Sequence, residues 1–138
     1  MSEIINPQDA ELEEIILGSC LIESKAISLI ADILRPEAFY NEKNLEIYAT
    51  LQSMYRNGQK IDIITVKEEL ARRGKLEFIG GPYTLAHISG RVASSAHLEY
   101  HARILKQKYI RRETILGFHK LLALAADETT DIDAVSYT

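Results

Sequence analysis

Two histidines four residues apart, in the stretch His97-Leu98-Glu99-Tyr100-His101, form the most metal-like spacing in the chain. On a helix they share one face, the arrangement of a zinc-binding pair. Hydrolytic chemistry would also need an acid beside the metal-bound water. Glu99 is two residues from each histidine, about 200° around a helix of 3.6 residues per turn, and so points away from that position. No third Cys or His stands nearby in sequence, so the pair is read as surface or interface histidines and no metal site is assigned. A small hydrolase built on His97 and His101 would require a bound metal. His119 and the serines show no spacing of a nucleophile with its base, and no catalytic residue is assigned.

The second feature with possible chemistry is the glycine pair of residues 78–85, FIGGPYTL. A phosphate cradle needs GxxxxGK[ST] or GxGxxG, and the seven glycines take neither pattern, so no nucleotide or other cofactor site is assigned. The pair is instead a device for starting a helix. Gly80 and Gly81 supply backbone conformations closed to other residues, Pro82 fits the first helical turn, and Tyr83 and Leu85 are expected to face the core.

The charged residues give the third feature. Glu11, Glu13 and Glu14 fall in the first turns of a helix, where they favour its dipole and are expected to stay hydrated. Residues 103–112, RILKQKYIRR, hold Arg103, Lys106, Lys108, Arg111 and Arg112 without an acid, the weak candidates for nucleic-acid or partner contact. Residues 127–133 are acidic, and the whole chain carries a net charge of −4. That balance is the opposite of a domain that works mainly by gripping phosphates. The lone Cys20 sits among apolar residues and is expected to be buried and reduced.

These residues must be positioned by a domain of 138 residues with 46% hydrophobic and 26% charged side chains, a size that supports one core without metal or disulfide staples. No apolar run is long enough to span a bilayer, and the first residues lack the basic and apolar regions of a signal peptide. The periodicity is helical throughout. Asn6 and Pro7 mark a helix start, followed by Ala10, Leu12, Ile15, Ile16 and Cys20 at helical spacing. Ser24 is placed to cap a short helix with Ile27, Ile30, Ile33 and Leu34 on one stripe, ending before Pro36. Phe39 and Tyr40 are expected core anchors. Asn41 caps a longer helix carrying Leu45, Ile47, Tyr48, Leu51, Met54 and Tyr55, which Asn57-Gly58 stops. Thr65 and Glu68 have the spacing of a capping box for a helix that ends at Gly74, with Val66, Leu70 and Ala71 inward. A short helix follows the glycine pair, to about Ser89, with Gly90 as its stop.

Ser94 or Ser95 is then placed to cap the longest periodic segment, residues 96–126, about 45 Å at 1.5 Å per residue. Such a helix must protrude, bend near Gly117 or pack on another chain. Its second half is more apolar than a solvated helix should be, which singles out Leu116, Phe118, Leu121, Leu122 and Leu124 as candidate hairpin or subunit contacts. Thr130 and Asp131 offer a fresh N-cap shortly before the chain ends, as in the truncated second arm of a helical hairpin. The expected fold is therefore all-α: a compact helical bundle over 1–108, then the first arm of a helical hairpin over 109–138.

The ordered set NPQDAELEEIILGSCL, LRPEAFYNEKNLEIYATL, NGQKIDIITVKEEL, RGKLEFIGGPYTL and YHARILKQKYIRRE resembles the N-terminal domain of the bacterial replicative DNA helicase, the DnaB type. The resemblance covers about residues 6–126 in order and spacing. It implies a helical globule followed by a hairpin that pairs between subunits, six such domains forming a hexamer collar arranged as a trimer of dimers. It implies a DnaG-type primase and a helicase loader as partners, and a bacterial, cytoplasmic setting at the replication fork. It further implies that ATP and Mg are used, and single-stranded DNA translocated, by a RecA-like C-terminal domain absent here, so that this segment itself is non-catalytic. No primase-contact residue is carried over. The competing reading from the residues alone is a freestanding helical DNA-binding module using the basic run.

Overall fold

The computed structural model describes residues 9–127. Over these residues it contains five α-helices and no strand: α1 (Ala10–Ile22), α2 (Glu42–Arg56), α3 (Ile63–Arg72), α4 (Pro82–Gly90) and α5 (Leu98–Ala126). Two single 3-10 turns, Ala26–Leu29 and Pro36–Ala38, lie between α1 and α2. The all-α expectation therefore holds. Asn6, Pro7, Thr130 and Asp131 lie outside the described residues.

One core joins every element. Ile16, Leu17 and Cys20 of α1 meet Ile47, Tyr48 and Leu51 of α2, Val66 and Leu70 of α3, Leu85 and Ile88 of α4, and Leu98, Ala102 and Leu105 of α5. α1 packs against α2, α4 and α5, which makes it the central helix. Ile27, Ile30, Leu34 and Phe39 fill the space between α1 and α2, with Phe39 stacked 4.7 Å from the Tyr48 ring. The Tyr48 hydroxyl donates to the Leu34 carbonyl at 2.9 Å, and burial pushes its pKa up. Burial also raises the Cys20 thiol from 9.0 to about 12, so at neutral pH it is an inert core side chain.

Local backbone chemistry sets most helix ends. The Asn41 side chain accepts from the Lys43 and Asn44 amides at the start of α2, as expected from its type. α2 and α3 stop at Gly58 (φ 68°) and Gly74 (φ 71°), where the next amides, of Gln59 and Lys75, reach back to the Met54 and Leu70 carbonyls. The capping box of α3 lies one turn earlier than its expected Thr65–Glu68 pairing. Asp62 accepts from the Thr65 amide at 2.8 Å, and the Thr65 hydroxyl accepts from the Asp62 amide at 2.9 Å. The Thr65 N–H holds the Asp62 carboxyl below the ordinary carboxylate range. Ile61 and Val66, both in the core, occupy the flanking positions of a hydrophobic staple and so favour this register over the later one.

Three further expectations differ. Ser24 caps no helix, because residues 26–29 form a 3-10 turn whose N-cap position is Lys25. Neither serine caps α5: the Ser95 hydroxyl donates to Glu23 at 2.6 Å, and α5 begins at Leu98 with no side-chain cap. Tyr40, Tyr55 and Tyr83 are exposed, and so is Ala71. Tyr55, Tyr83 and Ala71 lie on helical stripes wider than the surface the core covers, and Tyr40 lies in the segment between Phe39 and the Asn41 cap, with Phe39 alone turned into the core.

The glycine pair starts α4 as expected. Gly80 (φ 107°) and Gly81 (φ 81°) hold conformations unfavourable for L-residues, Gly81 is the N-cap, and Pro82 is in the first turn. A Cβ on Gly81 would meet nothing within 4 Å, so the penalty of Gly81→Val is set first by the backbone, whose φ of 81° with ψ of −177° is essentially reserved for glycine, at about 1–3 kcal/mol. Its melting temperature is expected to fall by several degrees, and an unchanged value in a thermal melt would contradict the assignment.

Candidate functional site

α5 is the element that leaves the globule. It runs unbroken for 29 residues through Gly117, so the helix is not interrupted there. Its buried residues, Leu98, Ala102, Leu105 and Arg112, lie on one side, and Tyr109 packs partly against the core on the same side. Beyond Arg112 no described residue of the helix is buried. Leu116, Phe118, Leu121 and Leu122 are 50%, 65%, 46% and 59% exposed, and Leu124 is partly covered.

At about 100° per residue these five do not share one face. Leu116 continues the line of Ala102, Leu105, Tyr109 and Arg112 past the edge of the globule. Phe118, Leu121 and Leu122 fall on roughly the opposite side, within an arc of about 100°, and Ile110, 51% exposed, lies beside that arc. Leu124 flanks the same arc. The apolar end of α5 thus offers two faces, one aligned with the globule and one turned away. Ile110 was missing from the sequence-based set; its spacing of eight and eleven residues from Phe118 and Leu121 is the signal that places it there.

The basic run does not make a stripe. Arg103 pairs with Glu99 at 3.0 Å on the same helix. Lys106, Lys108 and Arg111 are directed to different sides at 100° steps. Lys106 lines a cleft of about 330 Å³ together with Asp32, Arg35 and Tyr109. Arg112 is turned inward and is 4% exposed, its guanidinium donating to the carbonyls of Ala38 at 3.3 Å and Glu37 at 3.4 Å. A buried guanidinium needs such acceptors, and segment 37–38 presents them where α5 crosses it.

Of the three early glutamates, Glu11 stays at the surface and Glu14 is half-covered, and both pair with Arg91. Glu13 departs from the expected hydrated position. It is fully buried and its carboxylate accepts from the amides of Tyr40 (2.7 Å) and Asn41 (3.3 Å) and from the side chain of Asn44 (3.0 Å). It is the positive end of α2, 28 residues away in sequence, that draws it in.

His97 and His101 have ring centroids 6.3 Å apart. His97 is exposed, and the buried Nδ1 of His101 has no hydrogen-bond partner among the described residues. Among the described residues no three His, Cys, Asp or Glu side chains gather as a metal site, and no helix is long and apolar enough to cross a membrane.

The family model "DnaB-like helicase N terminal domain" matches residues 5–107. The chain is 43% identical over 108 residues to the replicative DNA helicase DnaB of Rhodothermus marinus, a match covering 78% of this chain and 12% of that protein. It is 33% identical over 119 residues to the replicative DNA helicase DnaC of Bacillus subtilis (strain 168), covering 83% of this chain and 26% of that one. This chain therefore spans about a quarter or less of the length of these two relatives. The N-terminal domain of DnaB helicase from Mycobacterium tuberculosis superposes with a TM-score of 0.87 at 29% identity, over 95% of both chains. A DnaB-like replicative helicase, described with its interactions with primase, superposes with a TM-score of 0.73 at 29% identity, over 83% of this chain and 27% of that one. With five helices in this order among the described residues and a family match across three quarters of its length, the chain belongs to the DnaB-like helicase N-terminal domains.

Proposed function

We propose that this chain is the assembly and partner-docking domain of a replicative DNA helicase, a subunit of a homo-hexamer whose N-terminal domains form a collar as a trimer of dimers. The observation that carries this reading is the two-faced apolar end of α5. Five large side chains between 46% and 65% exposed on one protruding helix exceed what a solvated helix carries. Two faces admit two partners: a second hairpin arm along one, and a helix of another subunit along the other. Primase is the proposed partner of the assembled collar, because a structural relative is described with primase interactions. A loader is the further partner expected of the complete helicase. ATP hydrolysis with Mg, translocation on single-stranded DNA and unwinding are assigned to a RecA-like domain of the longer protein, which would act in the bacterial cytoplasm. This segment supplies no catalytic group to them.

Light scattering on the 138-residue chain, beside a chain extended through a second hairpin arm, tests the assembly role. The extended chain is expected to associate, and Leu121→Ser with Leu122→Ser to weaken that association at least tenfold, as removal of central apolar anchors does. A monomer at every concentration in both lengths would overturn it. Titration of the extended chain with the C-terminal domain of the cognate primase tests docking, with saturable binding expected and no binding counting against it. The DNA-binding reading predicts instead tight DNA affinity that falls steeply with salt, from cations that here face several directions.

A further inference from the structure

Arg112 is the last buried residue described along α5, and its setting is unusual for a charge. Its guanidinium lies 5.2 Å from the Tyr40 ring centre and 5.5 Å from that of Tyr109, while donating to the Glu37 and Ala38 carbonyls. Tyr109 belongs to α5 itself, and Tyr40 to the segment before α2. The side chain is thus held between its own helix and the body of the globule. That segment is itself fixed, because the Tyr40 amide donates to the buried Glu13 carboxylate of α1 at 2.7 Å. A continuous path, Glu13 to Tyr40 to Arg112, ties the central helix to the point where α5 departs.

We infer that Arg112 is a positioning residue: its grip on the 37–40 segment fixes the angle at which the apolar end of α5 leaves the globule, and so sets where a partner helix meets Phe118, Leu121 and Leu122. Arginine suits this role because its terminal Nη2 reaches both carbonyls while the planar guanidinium lies against two aromatic rings. Leverage makes the angle matter. The 14 residues from 113 to 126 extend about 21 Å, so a tilt of roughly 20° moves the tip by about 7 Å, more than a packed side-chain contact tolerates. Leu98, Ala102 and Leu105 anchor the first two turns or so and Tyr109 packs partly against the core, which leaves Arg112 as the last buried tie before the distal half departs.

Pulsed electron resonance between nitroxides at Glu68→Cys on α3 and Lys120→Cys on α5 reads this angle, and the buried Cys20 thiol leaves the introduced cysteines as the reactive ones. Labelled protein is diluted in unlabelled protein so that only distances within one chain are seen. Arg112→Met is expected to broaden the distance distribution at least twofold, and Arg112→Lys to give an intermediate width, with amide-exchange protection of α2 unchanged. An unchanged width in Arg112→Met would overturn the inference. So would broadening accompanied by an equal loss of protection in α2, the sign of general destabilisation. Should Arg112→Met not fold, Tyr40→Ala removes the ring on the globule side of the stack while keeping the backbone amide that binds Glu13, and is read by the same two criteria. The consequence for a partner helix rests on the proposed assembly role, but the distances do not: a monomeric extended chain would overturn assembly and leave the angle measurement standing.

Discussion

Glu13→Ala is expected to lower the unfolding free energy by about 4 kcal/mol, because one buried and two part-buried donors lose their acceptor at roughly 1–3 kcal/mol each, discounted for relaxation and for the water that reaches the part-buried pair. For a domain of this size that is a fall of about 15 °C in melting temperature. The donors are the Tyr40 and Asn41 amides and the Asn44 side chain, all facing a fully buried carboxylate. Glu13→Gln separates the hydrogen-bonding loss from the loss of volume: the amide is nearly isosteric, yet its NH₂ faces donors. It should fall between the parent and alanine. A double-mutant cycle with Asn44→Ala is expected to show positive coupling, since removing the donor spares part of the penalty for removing its acceptor. Thermal melts and denaturant titrations measure both. A fall of under about 3 °C for Glu13→Ala would mean that the carboxylate is not the hub of this junction.

Gly18→Ala should be the next most damaging change, by about 2–3 kcal/mol, although alanine is the better helix former by about 1 kcal/mol. Gly18 lies where α1 passes α4. An added Cβ would come within 2.6 Å of the Val92 side chain and 2.7 Å of the Ile88 carbonyl oxygen. The first neighbour is a side chain and can be trimmed, but the second is backbone of α4 and cannot yield without moving the helix. The combination Gly18→Ala with Val92→Ala is therefore expected to recover less than half of the loss. Full recovery would show that the side chain alone excludes a larger residue. A stabilised Gly18→Ala protein would show that the two helices do not pack as closely as described.

These sites differ in how far the sequence could disclose them. Asn41, Gly58, Gly74 and the Gly80-Gly81-Pro82 stretch were legible because each acts on backbone within a few residues of itself. A cap or a left-handed turn is chosen by local sterics and by amides that the chain has already brought near. The α3 capping box shows where local reading fails. Thr65 belongs to it as its type suggests, but Thr65 with Glu68 and Asp62 with Thr65 have the same spacing, and the choice falls to the burial of Ile61 and Val66 in a core assembled from other helices.

The candidate interface was legible in composition and not in geometry. Leu116, Phe118, Leu121, Leu122 and Leu124 stood out as too apolar for a protruding helix. Their division into a face aligned with the globule and a face turned away required knowing which side of α5 the globule occupies. The same knowledge removed Arg112 from the exposed cations. Its acceptors lie 74 and 75 residues away, beyond the reach of any spacing rule.

From the sequence alone came the all-α class, the core stripes, most helix ends, the absence of a standard nucleotide cradle and the family resemblance. Each depends on short-range periodicity, on turn chemistry or on a string of motifs in order. The tertiary structure alone decided that one of three adjacent glutamates is buried, that one of five clustered cations is an internal tie, and that Gly18 has no room for a methyl group. Those outcomes depend on which surfaces meet after the helices have formed. Desolvation makes an unpaired buried polar group so costly that the meeting surfaces, rather than the local chain, settle where Glu13 and Arg112 must point.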